Sequence, residues 1–109
     1  MLRRISVLMI LTLVAACSAD EQRGLTGEQA YKQTCASCHD DGIDGAPRTG
    51  DPDAWADRSM LWEAVLIEHA NNGYLKMPAK GGDPSLDDAT VARAVEYMLM
   101  LTYPDAPRD

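Results

Sequence analysis

Two cysteines and a histidine stand close together in the segment Cys35-Ala36-Ser37-Cys38-His39. On a helix, residues three positions apart lie on one face, so both sulfur atoms can reach neighbouring groups of a single ligand. The histidine that follows supplies an imidazole, a common ligand of metal ions. The spacing C-x-x-C-H is typical of haem attachment. The segment therefore predicts one covalent haem c, with thioether bonds to Cys35 and Cys38 and an iron bond to His39.

Two other uses of a cysteine pair fit the sequence poorly. A thioredoxin-like dithiol belongs to a βαβ unit, and no stretch of the chain alternates with a period of two for long enough to form a strand. A zinc site needs four ligands, and the second histidine, His69, lies thirty positions after His39. Haem attachment is therefore the prediction.

A haem iron has a second axial position, and the methionines of the chain occupy two kinds of setting. Three lie in helical patterns, where methionine most often packs in a core: Met60, Met98 and Met100. Met77 instead precedes Pro78 in a loop that continues with two glycines. Proline stiffens such a loop, and glycine lets the backbone lie close to a flat ring. We predict Met77 as the second ligand. An open iron or one bound by His69 is the alternative, although His69 is expected on an exposed helical surface.

Helices must position these groups, and two of them have recognisable ends. Thr26 and Gln29 have the spacing of a capping box, which predicts a helix from there into the cysteine pair. A second helical pattern is predicted to start at the cap Ser59. It ends at Asn72 and Gly73, which are residue types that tolerate a left-handed helix end.

A third helix is predicted to begin at Asp87 or Asp88. Its apolar positions recur at spacings of three and four: Val91, Ala94, Val95, Met98 and Leu101. A short helix is expected around 53–57, and the segments 40–53 and 74–84 are predicted loops because they are rich in Gly, Pro or Asp. The predicted fold is therefore all-α, with three main helices and a short one.

The N-terminus has the features of a targeting signal. Arg3 and Arg4 precede an apolar run of about a dozen residues, shorter than the roughly 20 that a transmembrane helix needs. The run ends in Val14-Ala15-Ala16-Cys17, which resembles the lipobox of bacterial lipoproteins. Cleavage near Ala19 and an uncleaved helical anchor are the alternatives.

A lipobox implies that Cys17 is lipidated and becomes the first mature residue. The predicted organisation has three parts: a signal peptide over 1–16, a lipidated tether over 17–24 and one domain over 25–109. It implies a location on the periplasmic side of a bacterial membrane, anchored by lipid. Ser18, directly after the cysteine, favours the outer membrane.

The chain is acidic, with 17 Asp and Glu residues against 10 Lys and Arg residues and a formal net charge of −7. Such a protein repels phosphate backbones, so nucleic acid is excluded as a partner. The excess of acid either favours a basic patch on a partner protein or keeps the domain soluble.

Over 25–101 the chain resembles the class I cytochromes c, and within them the cytochrome c-five-like branch. Besides the motif at 35–39, the resemblance rests on these segments: Gly27 with Tyr31, Gly45-Ala46-Pro47-Arg48-Thr49-Gly50-Asp51, Trp55, Asn72-Gly73, Met77-Pro78 with Lys80-Gly81-Gly82, and Val95-Glu96-Tyr97-Met98. The resemblance implies a cytochrome c fold wrapped around one haem. It also implies that Gly27 and Tyr31 contact the last helix near Tyr97.

The resemblance implies further haem-binding residues beside His39 and Met77. Pro47 matches the family proline whose carbonyl accepts a hydrogen bond from the proximal histidine, here His39. That bond would fix the imidazole ring and raise its basicity. Arg48 and Trp55 correspond to positions near the haem propionates.

The expected function is one-electron transfer. An iron held by both His39 and Met77 has no open position for a substrate, and methionine ligation raises the potential. We therefore expect a carrier that exchanges electrons with redox partner proteins and has no small-molecule substrate. It is not expected to be an enzyme, because no acid–base pair or nucleophile besides the haem ligands clusters in the sequence. Two alternatives remain, a haem-based protein that binds or senses a small ligand and a dedicated cytochrome subunit of a membrane-associated oxidoreductase. Many members of the branch carry a second cysteine pair after the Met-Pro loop, and this chain has no cysteine after Cys38.

Overall fold

The computed structural model describes residues 24–58 and 63–106. The predicted signal peptide, Cys17 and the tether up to residue 23 lie outside the described residues. The same is true of 59–62, and so the predicted cap Ser59 and the side chain of Met60 lie outside them as well.

The first helical run carries the cysteine pair and is built from three consecutive pieces. They are helix α1 (Gly27–Ala30), a π-helical segment (Tyr31–Cys35) and helix α2 (Ala36–His39). The predicted capping box is confirmed, because Gln29 N–H donates to Thr26 Oγ1 over 3.1 Å and Thr26 N–H donates to Gln29 Oε1 over 2.9 Å. Isolated π-helical turns occur frequently at functional sites, and this one ends at the first cysteine.

Three further helices follow. Helix α3 (Pro52–Trp55) starts one residue earlier and ends two residues earlier than expected, with Pro52 at the favourable first position and Asp51 as the cap. Helix α4 (Glu63–Asn72) ends at the predicted place, before a Gly73 with φ of +85°. Helix α5 (Asp88–Thr102) is capped by Asp87, whose carboxylate accepts from Thr90 N–H over 2.8 Å.

The two predicted loops contain short 3₁₀ turns at Ile43–Gly45 and Ala79–Gly82. Each turn includes a residue other than glycine at positive φ, Asp44 at +53° and Lys80 at +57°. Over 24–58 and 63–106 no β-strand occurs, so the all-α prediction is confirmed.

The first and last helices cross at Gly27. A β-carbon at that position would lie 2.2 Å from the backbone oxygen of Arg93 and 3.1 Å from Tyr97 Cβ, so only glycine allows this approach. One turn further on, the rings of Tyr31 and Tyr97 pack with centroids 5.5 Å apart. The crossing implied by the resemblance is thereby confirmed.

The buried core forms two clusters, and both include residues of α5. Leu86, Val91 and Val95 pack with Ala70 of α4 in one of them. The other contains Tyr31, Trp55 and Met98. The prediction that Met98 packs in the core is confirmed, whereas Met100 is 41 % exposed and belongs to neither cluster.

A buried threonine joins the segment after the cysteine motif to the last helix. Thr102 Oγ1 accepts a hydrogen bond from Gly50 N–H over 2.9 Å and donates to Met98 C=O over 2.8 Å.

Among the described helices none has the length and apolar character needed to cross a membrane.

Candidate haem-binding site

A cavity of about 1240 Å³ lies between the cysteine-bearing helical run, α4, α5 and the loop that contains Met77. This is somewhat larger than the ~300–1,000 Å³ typical of small-molecule and cofactor pockets. Its walls are mostly apolar, with Leu66, Val91 and Val95 among them. Cys35, Cys38, His39, Pro47, Trp55 and Met77 all line it. The fold thus brings six of the seven predicted haem-binding residues to one space.

The two cysteines lie on the cavity wall formed by the first helical run, and they differ in burial. Cys35 is half-buried and Cys38 is exposed, and neither forms a disulfide. Burial raises the pKa of the Cys35 thiol to about 11, so this cysteine is a thiol and not a thiolate at neutral pH. A redox dithiol needs a cysteine whose pKa is lowered. Within the described ranges, moreover, no group of three or more potential metal-binding His, Cys, Asp or Glu residues occurs. The raised pKa disfavours the redox-dithiol interpretation, and the absence of such a ligand group from these ranges disfavours the zinc interpretation.

His39 is held in one orientation on the same wall. Its ring is 8 % exposed, and Nδ1–H donates to the Pro47 carbonyl over 2.8 Å. A carbonyl oxygen can only accept, so the bond fixes the proton on Nδ1 and leaves Nε2 as the atom available to a metal. The backbone of the same residue is also fixed, because Thr49 N–H donates to His39 C=O over 2.9 Å. The geometry expected for Pro47 is therefore present.

Trp55 stands next to His39 and is buried. The two rings are nearly parallel, with an interplanar angle of 17° and centroids 6.0 Å apart. The indole N–H of Trp55 donates to the Arg48 carbonyl over 2.9 Å, so this donor already has a partner within the protein. Trp55 therefore forms part of the wall and keeps its polar edge satisfied by the backbone.

The expected position of Arg48 near the haem propionates stays a prediction. Arg48 is not among the described residues that line the cavity, and its Nε–H donates to the Asp40 carbonyl over 3.3 Å. The arginine on the wall is Arg58, whose guanidinium donates to the Ala54 carbonyl over 2.8 Å.

A buried tyrosine is hydrogen-bonded to the residue that follows the cysteine motif. The hydroxyl of Tyr31 donates to the Asp40 carboxylate, and Asp40 directly follows His39. Burial, and then this hydrogen bond, raise the pKa of Tyr31 to about 12, so the hydroxyl stays protonated and keeps donating at any physiological pH. No sequence pattern relates these two residues, and the contact was therefore missed.

Met77 lies on another wall, at the end of a tight turn. Tyr74 N–H donates to Met77 C=O over 3.0 Å, and Met77 N–H donates back to Tyr74 C=O over 2.9 Å. Leu75 occupies the tip of the turn at φ of +51°, a conformation uncommon for a residue other than glycine, asparagine or aspartate. Met77 itself is half-buried and packs against the α4–α5 cluster.

Lys80 fixes the far side of the Met77 loop. Its ammonium group donates to the Leu86 carbonyl over 2.7 Å and pairs with the Asp88 carboxylate at 3.0 Å. Because Asp88 is the first residue of α5, these contacts tie the loop to the N-terminus of that helix.

His69 departs from expectation, because it is half-buried and lines the cavity. Its ring stacks on Tyr74 with centroids 3.8 Å apart and an interplanar angle of 3°. The two residues are separated by the end of α4 and by Gly73, whose left-handed conformation turns the chain back. Nothing in the helical spacing of the sequence indicated this contact.

Taken together, the cavity and its side chains fit a covalently attached haem. One wall offers two cysteine sulfurs and an imidazole whose Nδ1 is already used, and another offers a thioether. The remaining surface is mainly apolar, as a flat hydrophobic macrocycle requires. The fold and the site together define a c-type haem protein.

Comparison with known proteins gives the same result. Residues 22–98 match the family model described as cytochrome c oxidase, cbb3-type, subunit III. Cytochrome c-555 of Chlorobaculum thiosulfatiphilum is 43 % identical over 77 residues, which cover 67 % of this chain and 90 % of the relative. Cytochrome c-551 of Halorhodospira halophila is 42 % identical over 77 residues, which cover 67 % of this chain and 95 % of the relative.

A solved structure shows the same fold. It is the cytochrome c in the crystal structure of an electron transfer complex with nitrite reductase, with a TM-score of 0.65 and 36 % identity. The match covers 70 % of this chain and 93 % of that one. The chain therefore belongs to the class I monohaem c-type cytochromes. Proteins of this family bind a single covalent haem c and act as electron carriers.

Proposed function

We propose that this protein carries one electron at a time on a haem c that is attached to Cys35 and Cys38 and ligated by His39 and Met77. The observation that carries the proposal is that all four residues line one cavity. When bound, a haem iron between histidine and methionine supplies a reversible one-electron couple of raised potential.

The protein's own residues hold both proposed iron ligands in place. Pro47 fixes the His39 ring through Nδ1, and the turn from Tyr74 fixes the backbone of Met77. Apolar walls exclude water and limit rearrangement when the charge changes. We assign no catalytic residue and propose that the protein, like its electron-carrying relatives, is not an enzyme.

The function is tested with the mature, haem-loaded protein. A redox titration should show a single reversible one-electron transition. An oxidoreductase that accepts electrons from c-type cytochromes should fully re-oxidise the reduced protein. Carbon monoxide should bind the reduced protein only slowly, because Met77 must first leave the iron. Rapid binding of carbon monoxide would instead support a small-ligand sensor.

We propose that electrons pass to partner proteins at the mouth of the cavity. Three apolar side chains lining the cavity are strongly exposed: Ile43 at 47 %, Tyr74 at 46 % and Leu75 at 87 %. Exposed apolar groups that surround a functional opening mark interaction sites. The related cytochrome c in complex with nitrite reductase supports a protein as the partner.

Replacing Leu75 with asparagine should slow electron exchange with such a partner by about fivefold, the effect of losing one moderate interface contact. Asparagine tolerates positive φ, so the turn that holds Met77 is retained and the haem spectrum should not change. The measurement is the second-order rate constant in stopped-flow mixing. Leu101→Asn is the matched control, because Leu101 is 45 % exposed and does not line the cavity. Equal rate constants for the two variants would refute a role for Leu75 in docking.

A dedicated subunit role is a narrower form of the same function. The description of the matched family model as an oxidase subunit favours it. Stable co-purification of the native protein with one oxidoreductase complex would establish it, whereas recovery as a free protein would support a diffusible carrier.

We also propose that the protein is exported and anchored through lipid on Cys17, on the periplasmic side of a bacterial membrane. The support is the charged and apolar N-terminal sequence that ends at Cys17. Ser18 favours the outer membrane. Intact-mass spectrometry of protein from membranes reports haem, lipid and cleavage site together. A mature N-terminus near Ala19 without lipid would refute the anchor and leave the electron-transfer proposal untouched.

A further inference from the structure

The stack of His69 on Tyr74 is closer and more nearly parallel than the other ring contacts described above. Its centroids are 3.8 Å apart with planes within 3°, compared with 5.5 Å and 54° for Tyr31 and Tyr97. His69 belongs to the last turn of α4, and that helix packs against α5 in the core. The imidazole therefore stands on a rigid support, while Tyr74 belongs to a short turn.

Tyr74 connects the His69 ring to the backbone of Met77. The two residues share a pair of backbone hydrogen bonds, 3.0 Å and 2.9 Å long, which close the turn. Gly73, at φ of +85°, delivers the chain from α4 into this turn, and a β-carbon there would lie 3.2 Å from the Met77 carbonyl oxygen. The position of the Tyr74 ring and the position of the Met77 backbone are thus coupled.

A contact across a left-handed helix end is common and usually only closes the helix. Two observations go beyond that role here. Both rings line the cavity that Met77 lines, and the N–H of Tyr74 bonds to Met77. In addition, the tip of the turn is Leu75, at positive φ and 87 % exposed, so the turn lacks side-chain packing at its tip.

We infer that His69 is a positioning residue for Met77: its ring clamps Tyr74, and Tyr74 holds the Met77 backbone where the thioether can serve as an axial ligand. The inference rests on the proposed ligation of haem iron by Met77. His69 is itself not a ligand in this arrangement. Lys80 secures the other end of the loop, so the stack is the support on the N-terminal side.

The test uses the haem-loaded protein and two readouts of the methionine–iron bond. One is the weak long-wavelength absorption band of the oxidised protein, and the other is the rate of carbon monoxide binding to the reduced protein. His69→Ala removes the stack, so the band should weaken and carbon monoxide should bind about fivefold faster, in line with the loss of one aromatic pair. His69→Phe restores a flat ring and should return both readouts close to the native values.

A double-variant comparison isolates the pair. If His69 acts through Tyr74, then His69→Ala should add little to the effect of Tyr74→Ala, because the two changes remove one interaction. Glu68→Ala, an exposed change beside His69 on the same helix, is the control for a general effect on α4. A native-like band and rate in His69→Ala would overturn the inference, and so would a failure of His69→Phe to restore them.

The parallel variant Met77→Ala separates this inference from the function it rests on. If Met77→Ala keeps the band, the proposed ligand is wrong and the positioning role falls with it. If Met77→Ala loses the band while His69→Ala keeps it, Met77 remains the ligand and only the role of His69 is refuted.

Discussion

Alanine in place of Met77 should lower the midpoint potential of the haem by on the order of 0.1–0.3 V, a substantial part of the ~0.8 V that axial ligands span. The thioether favours the reduced ion, and its loss leaves water or an open position that favours the oxidised one. The long-wavelength band of the oxidised protein should disappear, and carbon monoxide should bind the reduced protein rapidly. Spectroelectrochemistry and stopped-flow mixing measure these effects.

The matched control for this change is Met100→Ala. Met100 is 41 % exposed on α5 and does not line the cavity, so its removal should change neither the potential nor the spectrum. A Met77→Ala protein with the native band and potential would show that another group holds the second axial position. Met98 would then be the next methionine to replace, since it lines the cavity too.

Gly27→Ala should lower the free energy of unfolding by about 3 kcal/mol, the upper end of what overpacking costs. Helix propensity alone predicts the opposite sign, since alanine is about 1 kcal/mol better than glycine within a helix. The added β-carbon would, however, lie 2.2 Å from Arg93 O and 2.8 Å from Arg93 C, both of them backbone atoms of α5. Relief requires the helices to separate, which opens the packing around Tyr31 and Tyr97. Denaturant unfolding followed by helical circular dichroism measures the change.

Gly50→Ala separates this contact from backbone strain. Gly50 has φ of +85° and does not line the cavity, and a β-carbon there meets no atom within 4 Å. Its replacement should cost only the conformational penalty of about 1–2 kcal/mol. Gly27 lies outside the left-handed region, so its cost is contact alone. If Gly27→Ala proves as stable as the native protein, the close crossing is not essential to the fold.

Local chemistry made much of the fold and site predictable. The capping box at Thr26, the helix end at Gly73 and the start of α5 near Asp87 each depend on residues within a few positions of one another. The attachment motif at 35–39 is likewise local. Met77 stood out because a proline follows it in a loop. These features can be predicted from sequence because neighbouring side chains and backbone atoms determine them.

Other features depend on how the folded chain orients its side chains, and they were not predicted from the sequence. Arg58 lines the cavity, and His69 stacks on Tyr74 instead of facing solvent. Leu75 adopts a left-handed conformation that its residue type disfavours. Helical spacing and turn chemistry do not show which side chain faces the cavity, or which rings meet after the left-handed turn at Gly73.

The π-helical segment before the cysteines determines the angle, around the helix axis, between Tyr31 and the haem-attachment residues of the same helical run. Ala36 N–H bonds to Tyr31 C=O, five positions back, which gives this turn about one residue more than an α-helical turn of 3.6. One extra residue rotates everything that follows by about 100° around the helix axis. Tyr31 can therefore face α5 while the sulfurs and the imidazole face the cavity. The number of residues between Gly27 and Cys35 therefore determines which side chains of the helical run face the haem pocket.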